Sequence, residues 1–162
     1  MVFHIVALQN THDRKGFRSG EKLLDHYFHQ QVTQDSRRKV TACFVLLQDQ
    51  KIAGYYTLAS ASVPLTDLPM EMQKKLPRYP SVPAVRMGRL AVDQDFQGQG
   101  LGGILLADAL MRASHSDIAS YALIVDAKNK TAAAFYQHHG FIALPQFPLI
   151  LFLPLATAKK IK

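Results

Sequence analysis

The spacing of apolar and polar positions along the 162-residue chain predicts an ordered series of strands and helices. Runs rich in β-branched and aromatic residues are typical of strands, and apolar residues recurring every three or four positions are typical of amphipathic helices. In residues 20–34 the helical spacing places Leu23, Leu24, Tyr27 and Phe28 on one face. Strands are expected at residues 2–8, 41–47, 52–60, 84–92, 121–125, 141–144 and 149–153, and helices at 20–34, 66–76, 101–114 and 132–139.

Turn and cap residues support these boundaries. The polar segment Gln48–Lys51 between two strands predicts a hairpin turn. Asn129 is expected to cap the last helix and Gly140 to end it. The apolar run 121–125 is typical of a strand covered on both faces. Antiparallel strands come first, and a strand–helix–strand–helix–strand series follows, so the pattern predicts an α/β domain with a mixed sheet.

Composition narrows the class of protein. Apolar residues make up 48% and charged residues 19%, which argues against a disordered chain. The single cysteine, Cys43, excludes an intramolecular disulfide framework and a cysteine-rich zinc site, and its apolar strand predicts a core position. No His/Asp/Glu grouping has metal-ligand spacing, so we expect no metal. We expect one domain over residues 1–158 with a basic tail at 159–162, no signal peptide, no membrane span and a cytoplasmic location.

Positive charge is concentrated in the first part of the chain. Residues 1–92 carry 13 of the 19 Lys and Arg residues but only 7 of the 12 acidic residues, and the whole chain has a formal net charge of +7. A one-sided basic surface favours a polyanionic partner, although an ordinary solvated face has the same composition.

A glycine-rich segment, Gln97–Gly103, stands between a predicted strand and a predicted helix. Glycines permit positive φ, and backbone N–H groups at a helix N-terminus bind phosphates. The segment lacks the Gly-Lys-Ser/Thr end of a Walker A loop. It satisfies G-x-G-x-x-G, with Asp126 as the ribose-binding acid, but only 36 residues follow Asp126, fewer than a dinucleotide-binding domain requires. Coenzyme A is the third phosphate ligand to consider.

Here the chain resembles the GNAT acetyltransferase superfamily. Gln97, Gly100 and Gly102 match its pyrophosphate loop, Gln/Arg-x-x-Gly-x-Gly/Ala, and the strand Arg89–Val92 precedes it. Asn129 and the Phe135-Tyr136-x-x-x-Gly140-Phe141 run resemble the later motif of the same superfamily. The resemblance implies a GNAT fold, with a mixed central sheet, a splayed strand pair and about four flanking helices.

The resemblance also implies a cosubstrate and a set of site residues. Acetyl-CoA is expected to contact Leu90, Ala91, Val92, Gln97, Gly98, Gln99, Gly100, Leu101, Gly102, Gly103, Asn129, Ala133 and Phe135. Tyr136 matches the family's general acid, and tyrosine, with an ordinary pKa of about 10, holds a proton to donate at neutral pH. His138 and His139 are given no chemistry, because a cation at a helix C-terminus is ordinary stabilisation.

A second set of residues begins in the N-terminal region. It comprises Phe17, Ser19, Gly20, Glu21, Leu24, Asp25, Tyr27 and Phe28, and it continues in the Tyr55–Leu58 strand, the Pro77–Pro83 segment and Gly88–Asp93. In these residues the chain resembles a narrower group, the GNAT toxins of bacterial toxin–antitoxin pairs. Ser19 departs from the cysteine that many of these toxins carry. Glu21 and Asp25 are interpreted as surface charges of the helix, with a place near the acceptor amine as the other possibility.

This narrower resemblance implies acetylation of the α-amino group of aminoacyl-tRNA, which blocks translation. An α-amino group has an ordinary pKa near 7.7–8.0, and an ester lowers it, so this acceptor needs no strong general base. A ribbon-helix-helix antitoxin and a homodimer are also implied. The basic residues expected to meet tRNA are Arg37, Arg38, Lys39, Lys74, Lys75, Arg78, Arg86 and Arg89.

Two other functions stay open. One is a GNAT enzyme that acetylates a small-molecule or protein amine, which transfer without tRNA would reveal. The other is a non-catalytic acyl-CoA-binding module, in which Tyr136→Phe would leave the cellular phenotype unchanged.

Overall fold

The structure is a computed structural model that describes residues 2–160, with side chains through residue 157. Its strands are β1 (Phe3–Ala7), β2 (Ala42–Gln48), β3 (Lys51–Pro64), β4 (Ser81–Val92), β5 (Ala122–Asp126), β6 (Ile142–Leu144) and β7 (Phe147–Pro154). Its α-helices are α1 (Lys22–Gln30), α2 (Val32–Arg37), α3 (Met70–Gln73), α4 (Leu101–Ser114), α5 (Lys130–His138) and α6 (Leu155–Lys160). Short 3-10 helices span Leu65–Asp67 and Gln94–Phe96.

The strands form a mixed sheet in the order β1-β2-β3-β4-β5-β7-β6. β1, β2 and β3 pair antiparallel, while β4 and β5 pair in parallel from Ala84↔Ala122 to Met87↔Val125. β7 is antiparallel to both β5 and β6. The predicted α/β class and mixed sheet are confirmed. Within residues 2–160, no helix combines the length and apolar character needed to cross a membrane.

The chain forms two compact units, each built from two segments. Unit 1 comprises the residues up to Ala59 together with Gly88–Ala109, and unit 2 comprises Ser60–Met87 together with the residues from Leu110 onward. β3, β4 and α4 each contribute residues to both units.

Aromatic packing organises the core of unit 1. Phe28 and Tyr55 stack with ring centroids 4.3 Å apart, and Phe17 packs edge-on against both rings. The Tyr55 hydroxyl donates to the Leu24 carbonyl at 2.7 Å, so this buried ring keeps a polar partner. Cys43 is buried in the same cluster, as predicted, and burial raises the pKa of its thiol to about 12.

The β2–β3 hairpin of unit 1 closes as predicted. Asp49 and Gln50 both have positive φ, 49° and 69°, which is the conformation of a type I′ turn. In the following strand, Gly54 permits a close approach. A Cβ at Gly54 would lie 2.8 Å from Leu105 Cδ1 and 3.0 Å from the Ala91 carbonyl oxygen.

The main hydrophobic cluster of unit 2 is mostly aliphatic. It includes Val63, Val82, Ala84, Ile124 and Phe152, drawn from β3, β4, β5 and β7. Leu151, Phe152 and Leu153 of β7 are buried. Phe147 and Leu149, at the start of β7, are partly exposed.

Two predicted helices differ from the structure, and one helix was not predicted. The expected helix at 20–34 is two helices, α1 and α2, because the backbone leaves helical geometry at Gln31, where φ is −120°. Leu23, expected on the buried face, is 87% exposed, whereas Leu24, Tyr27 and Phe28 pack against the core. Leu23 and Leu24 are 100° apart around the helix, and only one of them faces inward.

The remaining differences are at 66–76 and at the C-terminus. Leu68 precedes Pro69 and is extended, since proline disfavours helical geometry in the residue before it. The segment is therefore a 3-10 turn and the short α3 rather than one helix. α6 was not predicted, so the described residues contain six α-helices where about four were expected. The predicted tail falls partly in α6 and partly, at 161–162, outside the described residues.

Candidate active site

The glycine loop of unit 1 has the backbone conformation that the sequence predicted. Gly98 and Gly100 adopt φ of 82° and 77°, and no other atom lies within 4 Å of where their Cβ atoms would be. The requirement for glycine is therefore conformational, not steric. Gly102 and Gly103 lie in the first turn of α4, so only two of the four loop glycines supply positive φ. The loop residues 97–100 are exposed, as a ligand-binding loop must be.

The Gln97 side chain fixes the start of this loop. Its Nε2 donates to the Ser19 carbonyl at 2.8 Å and to the Val92 carbonyl at 2.9 Å. One amide group thus joins the loop to the end of β4 and to a segment 78 residues earlier in the chain.

A buried carboxylate supports the same junction. Asp93 is 3% exposed, and its two oxygens accept the backbone N–H groups of Arg18 at 3.0 Å and Asp95 at 2.9 Å. The Gln94 N–H donates in return to the Arg18 carbonyl at 2.8 Å. These bonds satisfy backbone N–H groups at the start of the 3-10 turn Gln94–Phe96.

Ser19 and Asp25 complete this network. The Asp25 carboxylate accepts the Ser19 N–H at 3.0 Å and the Ser19 hydroxyl at 2.7 Å, and Ser19 Oγ also accepts the Glu21 N–H at 3.1 Å. Asp25 is half-buried and occupied by these bonds, so the interpretation of this residue as a solvated surface charge is wrong. The sequence did not reveal this role of Ser19, because no motif in the sequence indicates its hydrogen bond to Asp25, six residues later.

The later motif, in unit 2, forms a capped helix. Asn129 Oδ1 accepts the Ala132 N–H at 2.9 Å, and Gly140 ends α5 with a φ of 93°, which confirms both predicted boundary residues. His138 closes the helix and His139 is its C-cap. Ala133 and Tyr136 are buried on one side of α5, while Phe135 is half-buried.

Tyr136 is held by packing. Its ring lies 5.2 Å from that of Phe135 and 5.6 Å from that of Phe141, and only 7% of the residue is exposed. Burial, and secondarily the negative charge of Asp126, raises the pKa of the Tyr136 hydroxyl to about 12. This hydroxyl therefore keeps its proton across the physiological range, as a proton donor must.

The other predicted cofactor residues lie on β4 and the start of α4. Ala91 and Leu101 are buried, whereas Leu90 and Val92 are half-buried. The described residues contain no group of three or more His, Cys, Asp or Glu side chains that could hold a metal ion.

Six of the eight predicted tRNA-binding residues are exposed. Arg37, Arg38 and Lys39 lie at the end of α2 in unit 1, and Lys74, Lys75 and Arg78 follow α3 in unit 2. Arg89 is half-buried, with its guanidinium carbon 3.4 Å from the centroid of the Tyr27 ring. The Tyr27 hydroxyl donates to Asp35 at 2.8 Å, which orients that ring.

Arg86 differs from the others because it has an acidic partner. It forms an ion pair with Asp126 in unit 2. Arg86 thus pairs with the last residue of β5, which is the acid that the dinucleotide interpretation assigned to a ribose.

The sequence profile of the Acetyltransferase (GNAT) family matches residues 6–141. The chain belongs to the GNAT family. The match covers the loop and Tyr136, and it agrees with the mixed α/β fold. The dinucleotide-binding interpretation of the G-x-G-x-x-G pattern is thereby excluded in favour of the acetyltransferase.

Relatives of this GNAT chain include toxins. A tRNA-acetylating toxin of Mycobacterium tuberculosis is 36% identical over 154 residues, which cover 94% of this chain and 92% of the relative. The solved structure of AtaT complexed with acetyl-methionyl-tRNAfMet has a TM-score of 0.90, 30% identity and 99% coverage of both chains. A mutant AtaT toxin bound to the C-terminus of the antitoxin AtaR and acetyl-CoA has a TM-score of 0.83, 26% identity and coverage of 99% and 98%.

Proposed function

We propose that the protein is a toxin acetyltransferase that moves the acetyl group of acetyl-CoA to the α-amino group of aminoacyl-tRNA and so blocks translation. The observation that carries this proposal is the 36% identity to a tRNA-acetylating toxin over nearly the full length of both chains. Similarity to AtaT complexed with acetyl-methionyl-tRNAfMet supports the same class of acceptor. Which aminoacyl-tRNA this chain selects is a separate property of its acceptor-binding residues.

The glycine loop fits the pyrophosphate of acetyl-CoA. The positive φ of Gly98 and Gly100 would let successive backbone N–H groups point toward one anion. α4 begins at Leu101, and the first N–H groups of a helix have no partner within the helix, so they would donate to the same phosphates. The Gln97 bonds hold this loop in place before the cosubstrate arrives. Residues Leu90–Val92 would bind the pantetheine arm through their backbone, and the N–H groups near Leu90 would stabilise the oxyanion. Ala133, Phe135 and Asn129 are the residues of α5 and its cap assigned to the same ligand.

Tyr136 would act as the general acid. Acetyl-CoA supplies an activated acetyl thioester, and the reaction needs a proton for the departing thiolate. A phenol with its pKa raised to about 12 is protonated at neutral pH, so it has a proton to give to the departing thiolate. Because such a phenol is a weaker acid than a thiol, the transfer requires that the hydroxyl be held close to the sulfur. The packing of Tyr136 against Phe135 and Phe141 provides that fixed position. The proton that the acceptor nitrogen loses as it is acetylated balances the proton that Tyr136 gives up.

The basic residues would meet the tRNA backbone. Lys and Arg side chains bind phosphates without reading sequence, and their contribution weakens with added salt. The exposed arginines and lysines at the end of α2 and after α3 suit this role. Arg86 contributes less in this proposal, because Asp126 already neutralises part of its charge.

We further propose a cytoplasmic protein in which residues 1–158 act as one domain, forming a homodimer and pairing with a ribbon-helix-helix antitoxin. The likeness to AtaT bound to the C-terminus of AtaR supports an antitoxin partner. The partly exposed Phe147 and Leu149 supply an apolar surface for the dimer. Light scattering of the purified chain tests the dimer, and DNA binding by a co-purified partner tests the antitoxin class.

The central experiment incubates the protein with acetyl-CoA and a charged tRNA pool, followed by mass spectrometry of the aminoacyl ends. We expect N-acetylated aminoacyl-tRNA from the wild-type protein and at least a ~100-fold lower kcat from Tyr136→Phe, since general acid catalysis contributes about 10²–10⁴-fold. Binding of acetyl-CoA should persist, because the phenylalanine ring keeps the packing of Tyr136.

Tyr121→Phe is the matched control, because it removes a phenol that has no assigned role and should keep full activity. Deacylated tRNA should accept no acetyl group, since it lacks the amine. If charged tRNA gained no acetyl group while free amines or peptides were acetylated, the proposed acceptor would be refuted. Full turnover by Tyr136→Phe would refute the general acid alone.

A further inference from the structure

A polar cavity lies in unit 1 between the segment after β1 and helix α2. Its volume is about 330 Å³. The polar side chains that line it are Gln9, Asn10, Arg14, Thr33, Ser36 and Arg37. None of its lining residues is acidic, so the cavity combines two guanidinium groups with hydroxyl and amide groups. This is the donor set of an anion site.

Arg14 is fixed in position at this cavity. One of its Nη atoms donates to the Phe28 carbonyl at 2.5 Å, and the guanidinium lies 5.9 Å from the centroid of the Phe28 ring. A guanidinium has five N–H donors, so a single bond to Phe28 leaves most of them for a ligand. A cation held by its neighbours loses little side-chain entropy when an anion binds.

Ser36 supplies the second, independent observation. Its Oγ is buried, and it has no hydrogen-bond partner among the described residues. A buried hydroxyl without a partner has lost its hydrogen bonds to water without replacing them, so such atoms are rare unless a ligand completes them. The neighbouring Asp35 carboxylate is not the partner of the Ser36 hydroxyl. It accepts hydrogen bonds from the Tyr27 hydroxyl and the Gln31 side-chain amide instead.

We propose that this cavity binds one backbone phosphate of the tRNA acceptor, with Arg14 and Arg37 neutralising its charge and Ser36 donating to a phosphate oxygen. The proposal rests on the proposed function and names a place where the acceptor is held. Arg37 belongs both to the cavity and to the exposed run Arg37–Lys39, so the anion site continues into a basic surface. That continuity favours a phosphate within a polyanion over a free phosphate ion.

The test measures binding of uncharged tRNA by filter retention between 50 and 200 mM salt. Ser36→Ala should weaken the affinity at least ~5-fold without changing the slope of log K against log salt, because the hydroxyl is neutral. Arg37→Gln should lower the magnitude of that slope by about one, as expected for one lost phosphate contact. Ser116→Ala, which removes an exposed hydroxyl of unit 2, is the matched control and should bind tRNA as the wild-type protein does.

Thermal stability separates a binding role from a structural one. Since Ser36 Oγ has no partner in the free protein, Ser36→Ala should leave the Tm unchanged or raise it while tRNA affinity falls. Wild-type affinity in both Ser36→Ala and Arg37→Gln would overturn the proposal. Arg14→Gln is informative only beside these two variants, because Arg14 also packs on Phe28.

Binding of inorganic phosphate distinguishes a free phosphate ion from a tRNA phosphate as the ligand of the cavity. We expect only a small Tm increase in phosphate over chloride at equal ionic strength, and loss of that increase in Ser36→Ala. Strong stabilisation by inorganic phosphate, with tRNA affinity indifferent to Ser36→Ala, would overturn the tRNA assignment in favour of a free-phosphate site. If acetyl transfer to charged tRNA failed while Ser36-dependent tRNA binding remained, the proposed reaction would be wrong and the phosphate site right.

Discussion

Gln97 offers a direct test of how the glycine loop is held in place. Its amide makes two hydrogen bonds, to the Ser19 and Val92 carbonyls, at 2.8 and 2.9 Å. Gln97→Met keeps the length of the side chain and removes both donors. Gln97→Glu keeps the shape but places a carboxylate oxygen against two carbonyl oxygens. Gln97→Arg supplies N–H donors that can reach both carbonyls, in keeping with the Gln/Arg choice at this motif position.

The magnitude follows from the two bonds. Each contributes about 1 kcal/mol net, so Gln97→Met should disfavour the ordered loop by about 2 kcal/mol. That free energy corresponds to about a 30-fold change in an equilibrium constant, which is the upper limit for the rise in the KM for acetyl-CoA. Gln97→Glu should be worse than Gln97→Met, because its negative charge also repels the cosubstrate phosphates. Gln97→Arg should remain within about threefold of wild type.

The assay is the KM for acetyl-CoA at saturating charged tRNA, with calorimetric binding of coenzyme A as a second readout. The kcat at saturating acetyl-CoA should change little, since in the proposed function the loop binds the pyrophosphate and does not touch the reacting atoms. If Gln97→Met and Gln97→Arg gave the same KM as the wild-type protein, the two bonds would not position the loop. If all three variants lost kcat equally, the effect would be general unfolding instead.

Two further predictions concern acidity and packing. The pKa of the Tyr136 hydroxyl is raised to about 12, so this group is protonated below that pH. We therefore expect kcat/KM, measured by initial rates, to rise with pH as the acceptor amine deprotonates and then to stay level to at least pH 9.5. A fall in kcat/KM between pH 8 and 9 would contradict this protonation state. Gly54→Ala should lower the Tm by about 4–8 °C in a thermal melt, because its Cβ would meet Leu105 and the Ala91 carbonyl at 2.8 and 3.0 Å and cost about 2 kcal/mol. Gly88→Ala is its control, since that Cβ would meet only Thr57 Oγ1, at 3.6 Å, and an unchanged Tm for both variants would refute the close approach.

Elements with strong local signals could be predicted from the sequence. α4 has the predicted boundaries, Leu101–Ser114, because glycines precede it and apolar residues recur along it. The cap at Asn129 and the end at Gly140 follow from side-chain and backbone chemistry that acts within a few residues. The break at Gln31 could not be predicted in this way, because Phe28 and Val32 are four positions apart and continue one apolar face across it.

The parts of the site that depend on distant residues could not be predicted. The positive φ of Gly98 and Gly100 follows from residue type, but the bond from Gln97 to Ser19 joins positions 78 apart and leaves no trace in either segment. Charge counting likewise predicted a basic surface without predicting its pairings. Arg86 has an ion-pair partner and Arg89 stacks on Tyr27, so equal formal charges have unequal availability for a ligand.

The discontinuous make-up of the two units bears on when the protein can become active during its own synthesis. Unit 1 consists of the residues up to Ala59 together with Gly88–Ala109, so a nascent chain that ends before Ala109 contains no complete unit. Unit 2 requires β7, which ends at Pro154. We expect ribosome-bound chains stalled before Ala109 to be protease-sensitive and unable to bind coenzyme A. On the proposed function, the arrest of translation would therefore begin only after β7 has been synthesised.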